Sequence, residues 1–473
     1  MQLRRPDPQD VVIVGVSGDL ARRKLIPALY DLAYDRLTPV DGRIIGYASR
    51  EWDDDYLRQV ARESVQRFSR RRDGLDERVW DQFSSRLHYV RSTHGGYARV
   101  ADLCSSGERL IYLAVPPAAL HGVITSLGTA GLVAGTRVII EKPFGSDVES
   151  ARALSRTVHE TFDESQVYRI DHYLGKETVQ NILAFRFANS MFERVWNRDA
   201  IDHVQITMAE SIGVEGRGGF YEEVGALRDV VQNHVLQMLA LVAMEPPVSM
   251  APNAIRDEKA KVLHATRPLG ANRTVRGQYT AGDVAGQLVP GYREEPGVDP
   301  NSLTETFFAA EVEVDTWRWA GVPFYLRAGK RLPRRSTQVA VVFREAPLSF
   351  FDEAGVEEMR PNRLIIRIQP DEGIEFGFMA KQPGPEVYLQ RVGMDFSYKT
   401  SFMTEPAEAY ERLLYDAMQG DHTLFLRDDS VLRSWALVQP ALDAPAPLSF
   451  YPAGTWGPPE ADRLIAPRRW ALR

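Results

Sequence analysis

Residues suited to acid–base and anion-binding chemistry are concentrated in one short stretch, 169–177 (RIDHYLGKE). It holds a carboxylate (Asp171), an imidazole (His172), a phenol (Tyr173) and an ammonium (Lys176). If the stretch is helical, His172 and Lys176 lie four residues apart on one face, where two cationic donors would bind a phosphate or another oxyanion. Asp171 would then point elsewhere and serve a second partner. The alternative interpretation is a charged helix start that is merely solvated.

His234 is a second candidate, within the helical stretch 226–243 (ALRDVVQNHVLQMLALVA). The apolar positions of this stretch mark one broad buried face, and His234 lies beside it. A lone histidine in that place is more often a packed structural residue than a base. The polar neighbours Asp229, Gln232 and Asn233 favour a functional role, because polar groups in a buried setting are common at active sites.

The elements that would position these residues begin with an apolar run at 11–16 (VVIVGV), typical of a buried parallel strand. Gly15 and Gly18 follow, and a helical pattern comes next. A strand, a glycine turn and a helix in this order present backbone N–H groups to a pyrophosphate. The spacing departs from the motif G-x-G-x-x-G. If Gly18 and Ala21 are taken as its second and third small residues, Val16 stands where the first glycine should be.

The end of the second predicted strand, 43–48 (RIIGYA), bears on cofactor choice. An acid near this point binds the ribose 2′-hydroxyl of NAD, whereas an arginine accommodates the 2′-phosphate of NADP. The chain continues Ser49-Arg50-Glu51. Arg50 favours NADP, and Glu51 keeps NAD as an alternative. A third interpretation is that all three residues are exposed loop residues without a ligand.

Two further predicted strands end in proline-fixed backbone. Residues 110–115 (LIYLAV) run into Pro116-Pro117, and residues 137–141 (RVIIE) run into Lys142-Pro143. Open α/β sheets bind ligands beyond the carboxyl ends of their strands, so Lys142 is placed to contact cofactor and substrate together. The Lys142–Pro143 bond is a candidate for a cis peptide, since X–Pro bonds adopt the cis form at modest cost.

The second half of the chain changes pattern. Residues 201–210 alternate as a strand, and between 303 and 398 many segments alternate with period two. This pattern predicts a large, mostly antiparallel sheet with helices on one face and the other face available for subunit contact. The basic turn 329–335 (GKRLPRR) lies between two of these strands, either as a solvated loop or as part of an anion-binding pocket.

Composition limits the class of protein. A chain of 473 residues and 53.3 kDa is too long for one ordinary core, and we expect two domains, 1–170 and 171–473. The net charge of -7 argues against general binding to nucleic acid or membrane surfaces. The single cysteine, Cys104, excludes an intrachain disulfide and fits a reducing cytoplasm. The polar start of the chain does not resemble a signal peptide, and we expect no membrane span.

Together the motifs resemble glucose-6-phosphate dehydrogenase of the bacterial type, in the same order over nearly the whole chain. The segments that carry the resemblance are GVSGDLARRKLIPALYDL (15–32), YLAVPP (112–117), EKPFG (141–145), RIDHYLGKE (169–177), EGRGGF (215–220), RDVVQNHVLQML (228–239), RGQYTAG (276–282), WAGVPFYLRAGKRL (319–332) and AGTWGP (453–458). The long central motif is highly specific to this family.

The resemblance implies a fold, a reaction and an assembly. The fold would be an N-terminal Rossmann-like dinucleotide-binding domain of α/β type and a C-terminal α+β domain on the large sheet. The reaction would be the oxidation of D-glucose 6-phosphate to 6-phospho-D-glucono-1,5-lactone with hydride transfer to NADP, the first step of the oxidative pentose phosphate pathway. The assembly would be a homodimer or homotetramer.

The resemblance also implies a role for each candidate residue. His234 matches the general base that takes the proton from the anomeric hydroxyl of the sugar, and Asp171 matches the acid that orients it. The phosphate would be bound by His172, Tyr173, Lys176 and Arg335. The sugar hydroxyls would be held by Lys142, Glu210, Asp229 and Lys330. The cofactor loop would be formed by Gly15, Ser17, Gly18, Asp19 and Leu20. Arg50, Pro116 and Lys142 complete the cofactor-binding candidates on the strength of their places at strand ends.

These roles agree with the chemistry of the reaction. A hemiacetal becomes a lactone when a base takes the hydroxyl proton and a hydride leaves the carbon, and a histidine with a pKa of about 6.5 suits the base. No metal is required, because the cofactor does the redox step. One departure matters: family members commonly have an arginine where this chain has Ser49, with Arg50 one residue later. NADP is expected because Arg50 still lies at the end of this strand, and the shift by one residue leaves use of both NADP and NAD as an alternative.

Two other functions are compatible with parts of the sequence. The first is that of a related sugar oxidoreductase on a Rossmann scaffold, because strand–EKP–loop motifs are shared beyond this family. The second is that of a non-catalytic homologue with an assembly or regulatory role. Such a protein would have lost the base or its acid, and this chain keeps both His234 and Asp171.

Overall fold

The computed structural model describes residues 4–71, 74–93, 96–105, 107–347, 360–385, 387–402 and 407–471. The chain forms two compact units, each made of three segments. Unit 1 comprises Met1–Glu177, Val248–Arg256 and Pro406–Leu432; unit 2 comprises Thr178–Pro247, Asp257–Glu405 and Arg433–Arg473. The sequence predicts two contiguous domains instead, because nothing in the local pattern of the two later segments of unit 1 indicates which core they join.

The described residues contain these strands in chain order: β1 (Asp10–Val14), β2 (Ile44–Ala48), β3 (Leu87–Arg91), β4 (Arg109–Leu113), β5 (Thr136–Ile140), β6 (Val167–Ile170), β7 (Ile201–Ala209), β8 (Thr274–Thr280), β9 (Gly282–Val284), β10 (Gln287–Val289), β11 (Phe307–Glu313), β12 (Pro323–Gly329), β13 (Ser336–Phe343), β14 (Arg363–Gln369), β15 (Gly373–Lys381), β16 (Leu389–Ser397), β17 (Phe425–Leu426) and β18 (Leu448–Pro452).

The α-helices of the described residues are α1 (Ile26–Tyr34), α2 (Asp54–Phe68), α3 (Glu77–Ser84), α4 (Gly96–Leu103), α5 (Pro117–Thr129), α6 (Val148–His159), α7 (Glu177–Phe187), α8 (Ser190–Arg194), α9 (Gly218–Ala226), α10 (Leu236–Ala243), α11 (Pro252–Ala265), α12 (Tyr398–Phe402), α13 (Ala409–Gln419), α14 (Asp428–Asp443) and α15 (Pro459–Ile465). Two segments are π-helical, Ala21–Leu25 and Leu227–Val235. Short 3-10 turns lie at Glu164–Gln166, Ala271–Arg273 and Tyr292–Glu294.

Unit 1 is built on a seven-stranded sheet in the order β17-β6-β5-β4-β1-β2-β3. The six strands from the first part of the chain pair in parallel, and β17 joins β6 antiparallel at one edge. The central strands β1 and β4 are buried along almost their full length, as expected of apolar runs covered on both faces. This is the predicted Rossmann-like α/β fold.

Unit 2 is built on a nine-stranded sheet in the order β16-β15-β14-β13-β7-β12-β11-β8-β18. Two neighbouring pairs, β7 with β12 and β8 with β18, are parallel, and the others are antiparallel. The large, mostly antiparallel sheet expected between residues 303 and 398 is therefore confirmed. Leu227–Val235 packs on the central strands, so this helical segment is held by the core of the unit.

No helix among the described residues combines the length and the apolar character that crossing a membrane would need.

Candidate active site

The glycine turn after β1 has the geometry of a dinucleotide-binding loop. Gly15 has a φ of +92°, and a Cβ at this position would clash with the carbonyl oxygen of Ala114, so only glycine fits against the end of β4. The N–H of Gly18 donates to the carbonyl of Gly15 at 2.9 Å, which closes the turn. Ala21, the third small residue of the motif, is fully buried. Backbone therefore lies open at the start of the helix, where a pyrophosphate fits.

The other predicted loop residues lie on the open side of this turn. Ser17 and Leu20 are half-buried, while Gly18 and Asp19 are exposed. The Asp19 carboxylate lies 3.5 Å from the guanidinium of Arg23 one helical turn later. The residues present thus fit a dinucleotide: a turn that no side chain fills, followed by the N-terminus of a helix.

The loop after β2 holds the residues that bear on cofactor choice. Ser49, Arg50 and Glu51 are all exposed. The Glu51 carboxylate pairs with Arg91, at the end of the neighbouring strand β3, at 2.7 Å. Among the residues the structure describes, the Arg50 guanidinium makes no hydrogen bond or ion pair, while its carbonyl accepts from the hydroxyl of Tyr89 at 2.7 Å. Arg91 was not predicted, since no motif in the sequence connects it to the loop after β2.

The ends of β4 and β5 bring a half-buried glutamate, Glu141, next to Lys142. Pro116 precedes the first residue of α5, and the Lys142–Pro143 peptide is cis. Glu141 accepts a short hydrogen bond from the hydroxyl of Tyr112 and another from Tyr410. Burial raises the pKa of Glu141, although these two bonds and the Lys142 ammonium oppose the shift.

The stretch 169–177 is not the helix that its residue spacing suggested. Its first two residues end strand β6, the next residues form turns, and α7 begins only at Glu177. The turns are closed by the N–H of Leu174, which donates to the Asp171 carbonyl at 3.0 Å, and by that of Lys176, which donates to the Tyr173 carbonyl at 3.1 Å. Pairing of β6 with β5 and β17 overrides the local helical preference.

The turns bring the predicted phosphate ligands together without a helix. The Lys176 ammonium lies 5.1 Å from the centre of the Tyr173 ring, and the rings of His172 and Tyr173 are 5.0 Å apart. The Tyr410 ring stacks on that of His172 at 6.3 Å with an angle of 10°. Asp171 is buried and its Oδ1 accepts from the N–H of Tyr173 at 3.0 Å. Tyr410 was missed, because its helix gave no functional signal in the sequence.

In unit 2, His234 lies on the π-helical segment Leu227–Val235 and is 2% exposed. The side-chain oxygen of Asn233 accepts from the backbone N–H of His234 at 2.6 Å. The Asn233 amide in turn donates to the carbonyls of Arg228 and Asp229, at 3.1 and 3.0 Å. π-Helical turns are frequent at functional sites. The Asn233 side chain bonds to three backbone groups of this one, at Arg228, Asp229 and His234.

A second cluster in unit 2 contains three of the predicted sugar-binding residues. The Lys330 ammonium pairs with Glu210 at 2.6 Å and lies 5.2 Å from the centre of the Tyr221 ring. Burial raises the pKa of Tyr221 well above its ordinary value, and the carboxylates of Asp229, Glu305 and Glu210 raise it further. Asp229 and Glu210 therefore both lie near the Tyr221 hydroxyl.

Arg335 contacts a residue outside this cluster. It is exposed at the start of β13, and its guanidinium donates to the side-chain oxygen of Gln369 at 2.9 Å. Of the other basic residues in the turn, Arg331 pairs with Glu295 at 3.3 Å and has a φ of +51°. The turn 329–335 is thus not a uniform basic patch, since its cations have different partners.

Comparison with known proteins identifies relatives along the whole chain. The model of the glucose-6-phosphate dehydrogenase NAD binding domain matches residues 12–181, and that of the C-terminal domain matches residues 183–471. A glucose-6-phosphate 1-dehydrogenase of Aggregatibacter actinomycetemcomitans is 48% identical over 96% of this chain and 95% of that protein. A glucose-6-phosphate 1-dehydrogenase 2 of Mycobacterium tuberculosis is 46% identical over 97% of this chain and 93% of its own length.

Solved structures are also similar to this chain over nearly its whole length. A glucose-6-phosphate dehydrogenase in complex with its substrate glucose-6-phosphate has a TM-score of 0.89 and 35% identity, and covers 100% of this chain and 99% of that one. A glucose-6-phosphate 1-dehydrogenase from Mycobacterium avium has a TM-score of 0.85 and 40% identity, with 99% of each chain covered.

Proposed function

The chain belongs to the glucose-6-phosphate dehydrogenase family and is an oxidoreductase of glucose 6-phosphate, and from this premise we propose how its residues carry out the reaction. The substrate is oxidised at its anomeric carbon to 6-phosphogluconolactone. Two groups of residues have to act on it: a base at the anomeric hydroxyl and an anion site for the phosphate at the other end of the sugar.

We propose His234 as the base. Its burial on the π-helical segment supports this role, because an imidazole out of water and fixed by its backbone is held in one orientation. Asp171 would accept from the second imidazole nitrogen, fix the tautomer and stabilise the imidazolium that forms. Asp171 is buried, and its backbone turn is fixed by bonds to Tyr173 and Leu174.

We propose that His172, Tyr173 and Lys176 bind the phosphate. Their mutual contacts in the turn after β6 support this, since a phosphate there would meet an imidazole, a phenol and an ammonium at once. Arg335 is proposed as a further phosphate ligand, and its exposed guanidinium is accessible to an anion.

The sugar hydroxyls are proposed to bind Glu210, Asp229, Lys330 and Lys142. The Glu210–Lys330 ion pair supports this assignment, because it places an acceptor and a donor 2.6 Å apart, the pattern that neighbouring hydroxyls require. Tyr221 supplies a phenol beside the same carboxylates.

A nicotinamide dinucleotide is the cofactor class of this family, and we propose NADP as the preferred member. It would be held by the turn Gly15, Ser17, Gly18, Asp19 and Leu20, by Arg50 at its 2′-phosphate, and by Pro116 and Lys142. When bound, it supplies the acceptor for the hydride that leaves the anomeric carbon. Arg50 is exposed and Glu51 is paired with Arg91, so the positive charge on this loop faces solvent while the negative charge is compensated.

Turnover of purified protein tests the function and separates it from the alternatives. We expect reduction of NADP with glucose 6-phosphate and a preference for it over free glucose of several orders of magnitude. His234→Ala should lose kcat far more than substrate binding. Equal turnover of glucose would favour a different sugar oxidoreductase, and absence of turnover with either cofactor would favour a non-catalytic role.

The assignment of the base has its own control. Gln237 lies one turn further along the same helical run and is equally buried. Gln237→Ala removes a buried polar side chain but no proposed reactant, so its kcat should stay within a few fold of the parent. A similar loss of kcat in both variants would show that the effect of His234→Ala is one of packing.

A further inference from the structure

The start of the π-helical segment Leu227–Val235 has an unusual partner. The first N–H groups of a helix have no acceptor within it and need one from elsewhere. Here the N–H of Ala226 donates to the backbone carbonyl of Glu305 at 2.9 Å. The N–H of Leu227 donates to Oε1 of the Glu305 side chain at 3.1 Å. One residue from a distant part of the chain therefore caps the segment that carries His234.

The preceding residue is shaped to admit this cap. Gly225 has a φ of 60° and a ψ of 179°, a conformation essentially restricted to glycine. A Cβ at this position would lie 2.5 Å from Oε1 of Glu305. The glycine thus provides both the backbone bend before the segment and the space for the carboxylate.

The cap itself is held rigidly. Glu305 is 7% exposed, and its Oε2 accepts from Nη2 and Nε of Arg276 at 3.2 and 3.3 Å. Arg276 also donates to the carbonyls of Leu303 and Ala446, at 2.7 and 3.2 Å. The two oxygens of the Glu305 carboxylate therefore have different partners, since one caps the segment and the other is fixed by the arginine.

The next residue, Thr306, fixes another part of the proposed site. Its carbonyl accepts from the N–H of Lys330 at 2.9 Å. The hydroxyl of Tyr451 donates to the Lys330 carbonyl at 2.7 Å and lies 3.1 Å from the Thr306 hydroxyl. Two adjacent residues before β11 thus hold both the segment of His234 and the backbone of the lysine that pairs with Glu210.

We propose that Glu305, held by Arg276, is a positioning residue for the base: it fixes where the segment of Asp229 and His234 begins, and so where the imidazole lies. The proposal rests on the proposed role of His234. A misplacement of a reacting group by about 1 Å can cost on the order of 100-fold in rate, so loss of the cap should appear mainly in the proton-transfer step.

Glu305→Ala tests this. We expect kcat to fall about tenfold or more, with a change of less than threefold in KM for NADP. The primary isotope effect on kcat with glucose 6-phosphate deuterated at the anomeric carbon should rise, because the chemical step becomes slower relative to product release. Glu305→Gln should lose less than Glu305→Ala, since its amide oxygen still accepts from Leu227.

Two further variants keep the test independent of folding. The first is the double variant Glu305→Gln with Arg276→Met. Its glutamine oxygen can still accept from Leu227, and both charges of the original pair are removed together. Its kcat should therefore stay within about threefold of the parent. Glu313→Gln is the matched control, because Glu313 lies at the far end of β11 and also pairs with arginines, Arg267 and Arg273, without contacting the segment.

The outcomes separate the possible failures. A kcat within twofold of the parent in Glu305→Ala, an unchanged isotope effect, or an equal fall in Glu313→Gln would overturn the positioning role. A tenfold fall in the double variant would do so as well. If His234→Ala itself keeps its activity, the assignment of the base fails instead, whatever Glu305→Ala shows.

Discussion

At the scale of single residues, we propose that cofactor preference depends on three charged residues at the ends of β2 and β3. Arg91 pairs with Glu51, and Arg50 is exposed, where we propose that it binds the 2′-phosphate of NADP. We predict that Arg50→Ala lowers the ratio of kcat/KM for NADP over NAD by about tenfold or more, because one charge-assisted contact to a phosphate is worth roughly 1.5–3 kcal/mol. Steady-state kinetics with both cofactors measure it.

A matched control for this substitution is Arg78→Ala, an equally exposed arginine on α3. The ratio should not change in that variant. An unchanged ratio in Arg50→Ala would mean that the shift of the arginine by one residue, from the family position now held by Ser49, has removed it from cofactor binding.

The candidate site residues could be proposed from the sequence, whereas several of the residues that contact them could not. His234, Asp171 and Lys176 stand in motifs whose residue types indicate the chemistry. Tyr410 and Glu305 do not, because each comes from a part of the chain with the pattern of an ordinary helix or strand. Such partners are defined by tertiary packing alone.

At the scale of elements, the sequence predicted the strands better than the turns. β1, β2, β4 and β5 were expected because buried parallel strands are continuous apolar runs. The helix considered at 169–177 was wrong, since the end of a strand followed by a turn has too little periodicity to be separated from a helix start. The π-helical form of Leu227–Val235 also has no sequence period of its own, and the side chains of Asn233 and Glu305 that bond to its backbone are positioned by the fold.

Helix α13 carries a buried carboxyl whose titration should affect stability. Glu411 is 2% exposed and lies 2.9 Å from Nε of Arg70, with Asp31 near by. Burial raises the pKa of Glu411 to about 7, and Asp31 adds to the shift against the effect of Arg70. The folded state thus keeps a proton that the unfolded state releases at about pH 4.3, so stability is lost as the pH rises from there to about 7.

Glu411→Gln cannot ionise at this position. We predict that its free energy of unfolding, relative to that of the parent, rises by about 2 kcal/mol when the pH is raised from 5 to 8. Denaturant unfolding at the two pH values measures the difference. Glu63→Gln, at an exposed position on α2, is the control. A gain of the same size in that variant would show that the effect does not come from the buried carboxyl.

At the scale of the whole molecule, we propose that the chain forms a homo-oligomer through the outer strands of the nine-stranded sheet. Phe376 and Phe378 of β15 pair in register with Met394 and Val392 of β16, so the four side chains lie on one face. Met394 is 59% exposed and Val392 38%. Such a contiguous apolar patch at the edge of a sheet is typical of a subunit interface.

The prediction is that Val392→Glu with Met394→Glu lowers the molar mass in solution to that of one chain, as light scattering coupled to size exclusion would measure. Four charges per pair of subunits would have to be buried in the interface, at a cost of several kcal/mol. Leu288→Glu, on the exposed β9–β10 hairpin, should leave the mass unchanged. A monomeric parent would contradict the proposal directly.

The cytoplasmic location expected from the single cysteine stays a prediction.

The three-segment construction of unit 1 has a consequence for synthesis on the ribosome. Its sheet gains the edge strand β17, and its helix α13, only from residues 406–432, which are made late. During translation β6 therefore emerges long before the strand that covers its free edge, and an unpaired edge is a template for association with other chains. Nascent chains stopped before residue 406 should accordingly depend on a chaperone that shields β6, whereas completed chains should not.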